Sequence, residues 1–384
     1  MKYYYNCRVY SPEDLGQKVI AVDDGKIVSL SDRFEPSGGD ECVDCGGATA
    51  VPGFVDLHIH GAGGFGVSDS VDEIVALADF LAGRGTVAFM PTVLTAPLPL
   101  MLRTLGAIDE ARKLRPGILG AYLEGPFLSK KMLGAQSPED AKEIDGASVS
   151  ELLSRPGLKR MTVAPELPGA FDLARRLSDA GVTVSAGHTA ADFDTALAAF
   201  DNGFSDFTHI FNACTSHRKE KISAGRPVSG NAAGTAGAEY EVRVAGAAEA
   251  ALVSDNASVQ FIADGNHIPA GLIKLILKCK GTDGAYAITD ALEFAGLELA
   301  NGQTFTQKNG VEAFFDGGAM RVSGKCCLAG SCATMADCFR FLAEGVGLPI
   351  PDCAKLTSTT PARLAGVKTK GMIAPGYDAD FVLM

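Results

Sequence analysis

Alternation of apolar and polar positions dominates the first fifty residues. "YYYNCRVY", "QKVIAV" and "GKIVSLSD" read as short strands, separated by the turn sequences "DDGK" and "SGGD". The tail "GMIAPGYDADFVLM" has the same character. The two ends predict a small β-domain, residues 1–52 with 361–384, assembled from both termini. Between them, apolar strand-like runs alternate with segments of helical period. The strand candidates are "GFVDLH" (53–58), "TVAFMPT" (86–92), "GILGAYLE" (117–124) and "KRMTVAP" (159–165). They continue with "GVTVSAGH" (181–188), "SDFTHI" (205–210), "SVQFIAD" (258–264) and "GAYAITD" (284–290). Helical stretches include "SVDEIVALADFLAGRG", "AFDLARRLSDAG", "DFDTALAAFDNG" and "AGLIKLILKCKG". Eight strands with intervening helices predict an α/β fold, a parallel (β/α)8 barrel over residues 53–360. A doubly wound sheet is the alternative. It usually carries a phosphate-binding glycine fingerprint after its first strand, and "GAGGFG" opens no clean G-x-G-x-x-G helix. The segment 212–257, rich in Gly, Ala and Ser, reads as one long functional loop.

Histidines follow this strand pattern. His58 and His60 stand one residue apart in "GFVDLHIHGAGG". In a strand such residues project to the same side, roughly 6.5–7 Å apart, and can converge on one ion. Five of the six histidines sit at or just past the C-terminal end of a predicted strand: His58, His60, His188, His209 and His267. Glu124 ends the third strand and Asp290 the eighth. In a barrel all strand C-termini open onto one face, where active sites lie. Histidines scattered through a core would not respect strand ends. Imidazole and carboxylate donors suit a divalent metal such as Zn, Fe, Mn or Co, whereas Ca and Mg prefer oxygen. The set contains no cysteine, which argues against a structural zinc site. A cation with an open position lowers the pKa of water to ~7. Asp290 can take that water's proton and return it to a leaving amine, and His267 can polarise a carbonyl.

Composition narrows the function classes. A formal charge of −12 over 384 residues argues against a nucleic-acid surface. No apolar run reaches membrane-spanning length, and "MKYYYNCRVY" lacks the apolar core of a signal peptide. A cytoplasmic location is the expectation. Ten cysteines are scattered; Cys42 and Cys45 form a lone CxxC, and the adjacent Cys326 and Cys327 cannot share one ion.

"PGFVDLHIHG", "LEGPF", "APE", "AGHT", "THIFNA", "ADGNH", "ITDA" and "LAGS" occur in this order. The chain thereby resembles the N-acetylglucosamine-6-phosphate deacetylase family of the amidohydrolase superfamily over nearly its entire length. The resemblance implies a distorted TIM barrel with a β-sandwich domain, a homodimer, and hydrolysis of the N-acetyl group of an amino-sugar 6-phosphate. It implies a main metal site at Glu124, His188 and His209, and a second-ion site supported by His58 and His60, so that one or two ions per subunit are expected. It assigns substrate carbonyl contact to His267, acid/base catalysis to Asp290, and sugar-phosphate contact to Asn212 and Ala213. Two departures stand out. Gln136 in "KMLGAQ" replaces a substrate-binding histidine, and "SHRKEKISAGRPVSGNAAG" replaces a shorter arginine element that binds phosphate. Arg226, then Arg218, are the candidates for that arginine. Alternatives are a galactosamine epimer or unphosphorylated substrate, a non-catalytic sugar-phosphate sensor, and a cyclic-amide hydrolase. The last typically needs a bridging lysine, and neither "AYLEG" nor "TVAPE" supplies one.

Overall fold

A computed structural model describes residues 1–223, 239–308, 310–325 and 327–384. Eight parallel strands lie side by side in chain order: Phe54–Ile59, Thr86–Leu94, Ala121–Glu124, Leu158–Val163, Thr183–Ala186, Asp206–Phe207, Ser258–Ile262 and Ala285–Ile288. Helices such as Val71–Ala82, Leu98–Leu114, Ala170–Asp179 and Ala270–Lys280 connect them. The first and eighth strands close the cylinder. Asp290 N donates to His58 O at 3.0 Å, and His60 N donates to Ala291 O at 2.8 Å. Beneath these bonds the buried Asp56 carboxylate accepts from Thr289 Oγ1 at 2.5 Å and from His58 N at 3.2 Å. This is the predicted (β/α)8 barrel.

The termini meet in a six-stranded sheet ordered Phe381–Leu383, Thr49–Pro52, Lys2–Tyr10, Asp14–Asp23, Lys26–Ser31, with Glu41–Asp44 pairing beside Lys2–Tyr10. Cys7, Val9, Ile20, Ile27, Ala50 and Ile373 form its apolar core. Of the tail, only Phe381–Leu383 is strand. No helix among the described residues is long and apolar enough to cross a membrane.

Three of the predicted strands that carry candidate ligands stop short of them, for one reason. The fifth ends at Ala186, the sixth at Phe207 and the eighth at Ile288. His188 has φ 46°, His209 φ 25° and Asp290 φ 48°, a region outside the β ladder. The residues expected at the strand ends lie two positions beyond them, on left-handed backbone that costs of order 1–3 kcal/mol each. The 212–257 expectation is also corrected. It contains an antiparallel pair, Arg218–Ser223 with Glu239–Val244, followed by the helix Ala247–Val253. Residues 224–238, and Arg226 with them, lie outside the described residues. An unanticipated antiparallel sheet, Thr304–Thr306, Glu312–Asp316, Ala319–Val322 and Leu328–Ser331, stands beside the barrel mouth.

Asp56→Ala is expected to leave Thr289 Oγ1 and nearby amides without their acceptor at the closure. A loss of about 1–3 kcal/mol, read from urea unfolding, checks this. An unchanged midpoint would show that the closure does not depend on Asp56.

Candidate metal centre

Two groups of donors face each other at the barrel mouth. In one, Glu124 Oε1 lies 2.9 Å from both His188 Nε2 and His209 Nε2, and those nitrogens are 3.1 Å apart. In the other, His58 Nε2 and His60 Nε2 are 3.3 Å apart, at 3.4 and 3.1 Å from Asp290 Oδ1. Glu124 joins the groups. Its Oε1 is 3.6 Å from His58 Nε2 and its Oε2 is 3.4 Å from His60 Nε2. All six side chains are buried.

The local sequence explains how these groups arrive together. His58 and His60 share one side of the first strand, as period two requires. "AGHT" places His188 on a turn fixed by Glu166, which accepts from Thr189 Oγ1 at 2.5 Å and Ala190 N at 2.6 Å. "LAGS" holds Asp290 from behind: Ser331 N donates to Asp290 O at 2.9 Å, and Ser331 Oγ donates to Thr289 O at 2.6 Å. Gly330 sits there at φ +93°, and a Cβ on it would lie 2.9 Å from Asp290 O.

The donor set fits a divalent cation. His60 Nδ1 faces the Thr92 carbonyl at 2.9 Å and His188 Nδ1 faces the Met132 carbonyl at 3.0 Å. A carbonyl only accepts, so Nδ1 carries the hydrogen in both rings, and a neutral ring turns a bare Nε2 inward. Lone pairs of several imidazoles and two carboxylates thus converge where only a proton or a cation relieves their repulsion. Burial alone would push the Glu124 carboxyl up, but His58, His188 and His209 outweigh it and hold it well below the usual range. Burial likewise opposes ionisation of Asp290, and His58 and His60 overcome it. Burial works against a charge on His60, yet Asp290 and Glu124 raise its pKa to about 10. Without a cation, His60 therefore keeps a proton at neutral pH.

A cavity of about 310 Å³ opens above this centre. His267 lines it, with Nδ1 donating to Asp264 Oδ2 at 2.7 Å and its backbone N to Asp264 Oδ1 at 2.9 Å. Asn212 and Ala213 also line it, and Ala213 has φ 45°. Gln136 reaches the cavity wall, but its amide is engaged on both sides. Nε2 donates to Glu124 Oε2 at 2.5 Å, and Oε1 accepts from Thr95 N at 2.9 Å. This gives Gln136 a contact with Glu124 that the expectation of a substrate contact did not include. Arg218 is exposed on its hairpin, pairs with Glu220 at 3.0 Å, and does not line the cavity. Among the described residues, Lys131 is the lysine or arginine that does. Its place in the sequence, next to Lys130, carried no mark of this. Asp264 and Gln260 were also missed. Asp264 carried a signal, since it stands three residues before His267 in "ADGNH".

Residues 49–384 match the amidohydrolase family. A curated relative, N-acetylglucosamine-6-phosphate deacetylase of Bos taurus, is 30% identical over 99% of this chain and 91% of its own. N-acetylgalactosamine-6-phosphate deacetylase of Escherichia coli O157:H7 is 30% identical over 87% and 82%. A mutant N-acetyl-D-glucosamine-6-phosphate deacetylase from Mycobacterium smegmatis, solved in complex with N-acetyl-D-glucosamine-6-phosphate, superposes with a TM-score of 0.85. It is 26% identical and covered to 94%, with all of this chain aligned.

A cation entering the His58–His60–Asp290 group must displace the His60 proton, so its apparent affinity should rise with pH across neutrality. Zinc calorimetry at pH about 6.5 and about 8, in buffers of different ionisation heat, should show tighter binding at the higher pH and about one proton released at this group. Affinity independent of pH with no proton release would contradict the arrangement.

Proposed function

The chain belongs to the amidohydrolase family, in its N-acetylglucosamine-6-phosphate deacetylase branch, and we propose that it hydrolyses the N-acetyl group of an amino-sugar 6-phosphate. N-acetylglucosamine 6-phosphate is the substrate this reading puts first, giving the amino sugar phosphate and acetate. The observation that carries it is the pair of donor groups sharing Glu124 at the floor of a sugar-sized cavity, with Asp290 at its edge. Glu124, His188 and His209 would hold one divalent ion, and His58, His60 and Asp290 a second; the donor types suit Zn, Fe, Mn or Co. Such ions supply Lewis-acid polarisation and a water acidic enough to act at neutral pH.

The protein's own groups do the rest. Asp290, kept ionised by its imidazole neighbours, takes a proton from the attacking water as the oxygen–carbon bond forms. It returns that proton to nitrogen as the carbon–nitrogen bond breaks, so amide and water become acid and amine. His267 is held by Asp264, whose carboxyl stays below its ordinary range: burial opposes this, and the bonded His267 outweighs it. Facing the Asp264 carboxylate through Nδ1, His267 can hold a hydrogen on each ring nitrogen, and in that doubly protonated form its Nε2 donates to the oxygen on which negative charge develops. Lys131 places a cation at the cavity edge for the phosphate, while Asn212 and Ala213 meet the sugar phosphate. The reading includes a homodimer, as the family resemblance implies.

Acetate release should be fastest on N-acetylglucosamine 6-phosphate in a panel with its galactosamine epimer and both free sugars. No acetate from any member would overturn the reading. Asp290→Asn should lower kcat by about 10²–10⁴-fold, and normal turnover would refute its role. Lys131→Met should raise KM for the phosphorylated sugar only. An equal effect on the free sugar would remove Lys131 from phosphate recognition.

A further inference from the structure

Behind the metal centre, beside the apolar cluster of Val55, Leu57, Met90, Ile262 and Ile288, the barrel interior holds a fully buried polar network. Arg160 and Asp206 form an ion pair there, with side chains 1% and 0% exposed. The Asp206 carboxylate also accepts from Ser185 Oγ at 3.0 Å, Ser258 Oγ at 2.7 Å and Tyr286 Oη at 3.1 Å. Its remaining donor is Gln260 Nε2, at 2.6 Å. The other end of that amide, Gln260 Oε1, lies 3.0 Å from His58 Nδ1.

We propose that Gln260 is a positioning residue, oriented by the Arg160–Asp206 pair, that fixes the tautomer of His58 and so completes the His58–His60–Asp290 site. The argument is one of donors and acceptors. A carboxylate paired with a guanidinium has no hydrogen to give, so the Gln260 NH2 must face Asp206. The amide oxygen is then turned to His58, and it only accepts. Nδ1 of His58 carries the hydrogen, and Nε2 is left bare for a cation. His60 and His188 obtain the same tautomer from main-chain carbonyls, which no side-chain substitution removes. Among the described residues His209 Nδ1 has no partner. His58 is thus the ligand whose tautomer is set by a side chain, two hydrogen bonds from a buried charge pair.

The inference rests on the metal-dependent reading above, and the test separates the two. Apo protein is titrated with Zn²⁺ by calorimetry, with metal content checked on the same samples. The wild type should take two ions per chain. Gln260→Leu should weaken one of them about 10–100-fold and leave the other unchanged, because Glu124, His188 and His209 are untouched. Gln260→Glu must hold a proton beside Asp206; its hydroxyl donates there and its carbonyl still faces His58. It should restore the weakened ion to within a few-fold of wild type. Ring ¹⁵N shifts of labelled histidines should show His58 protonated at Nδ1 in zinc-loaded wild type. A wild type that binds one ion, a Leu variant with both ions as tight as wild type or both weakened equally, a Glu variant as weak as the Leu variant, or a His58 Nδ1 without hydrogen would overturn the assignment. A wild type that binds two ions yet releases no acetate would overturn the deacetylase reading and leave Gln260 in place.

Discussion

One carboxylate, Glu124, faces four imidazoles inside a closed barrel, and the rest of the mouth is arranged around that contact. The side chains come from strands and loops far apart in sequence, so they meet only if the cylinder closes and its strands end level. Closure is secured by backbone bonds between His58 and Asp290, and between His60 and Ala291. Placement then demands left-handed backbone at His188, His209 and Asp290. Strain of this kind persists where surrounding structure over-determines it. Here the Glu166 bonds behind His188 and the Ser331 bonds behind Asp290 supply that determination. The same convergence of donors that makes the apo site hold a proton on His60 makes it a cation site.

The layer beneath gives this convergence its orientation. Burying Arg160 with Asp206 contributes little net stability, since desolvation offsets most of the attraction. Its position is more informative than its energy. Asp206 gathers hydroxyls from three strands and the amide of Gln260, and Tyr122 bonds Thr162 at 2.8 Å and Thr208 at 3.0 Å in the same layer. Beside the apolar filling of Val55, Leu57, Met90, Ile262 and Ile288, which is common in such barrels, runs a network whose polarity is fixed by one carboxylate. The direction of each hydrogen bond is thereby transmitted to the metal-facing surface.

Much of this was legible in the sequence. Eight apolar runs with helices between them announced the barrel, and histidines at their ends announced a common rim. Left-handed backbone was not legible: His and Asp adopt it more often than most side chains, yet only a small minority of them do, so their presence at strand ends does not mark it; these strands consequently end two positions early. The helix Leu98–Leu114 was hidden by Pro97 and Pro99, which mark a helix start as readily as a loop. The sheet from Thr304 to Ser331 consists of strands of three to five residues whose pairing depends on tertiary contact. Gln136 shows the limit of reading by position. Its place in "GAQ" pointed to substrate, whereas its amide bonds Glu124 and Thr95. Gln260 carried no signal, since a buried glutamine in an apolar strand gives no sign of the carboxylate that orients it.

The most direct test is anomalous diffraction from crystals of the zinc-loaded protein. The account predicts two peaks flanking Glu124, one bound by His188 and His209, the other by His58, His60 and Asp290, with ligand distances of about 2.0–2.3 Å. Absence of anomalous density between these side chains, with the imidazoles still directed at one another, would contradict it.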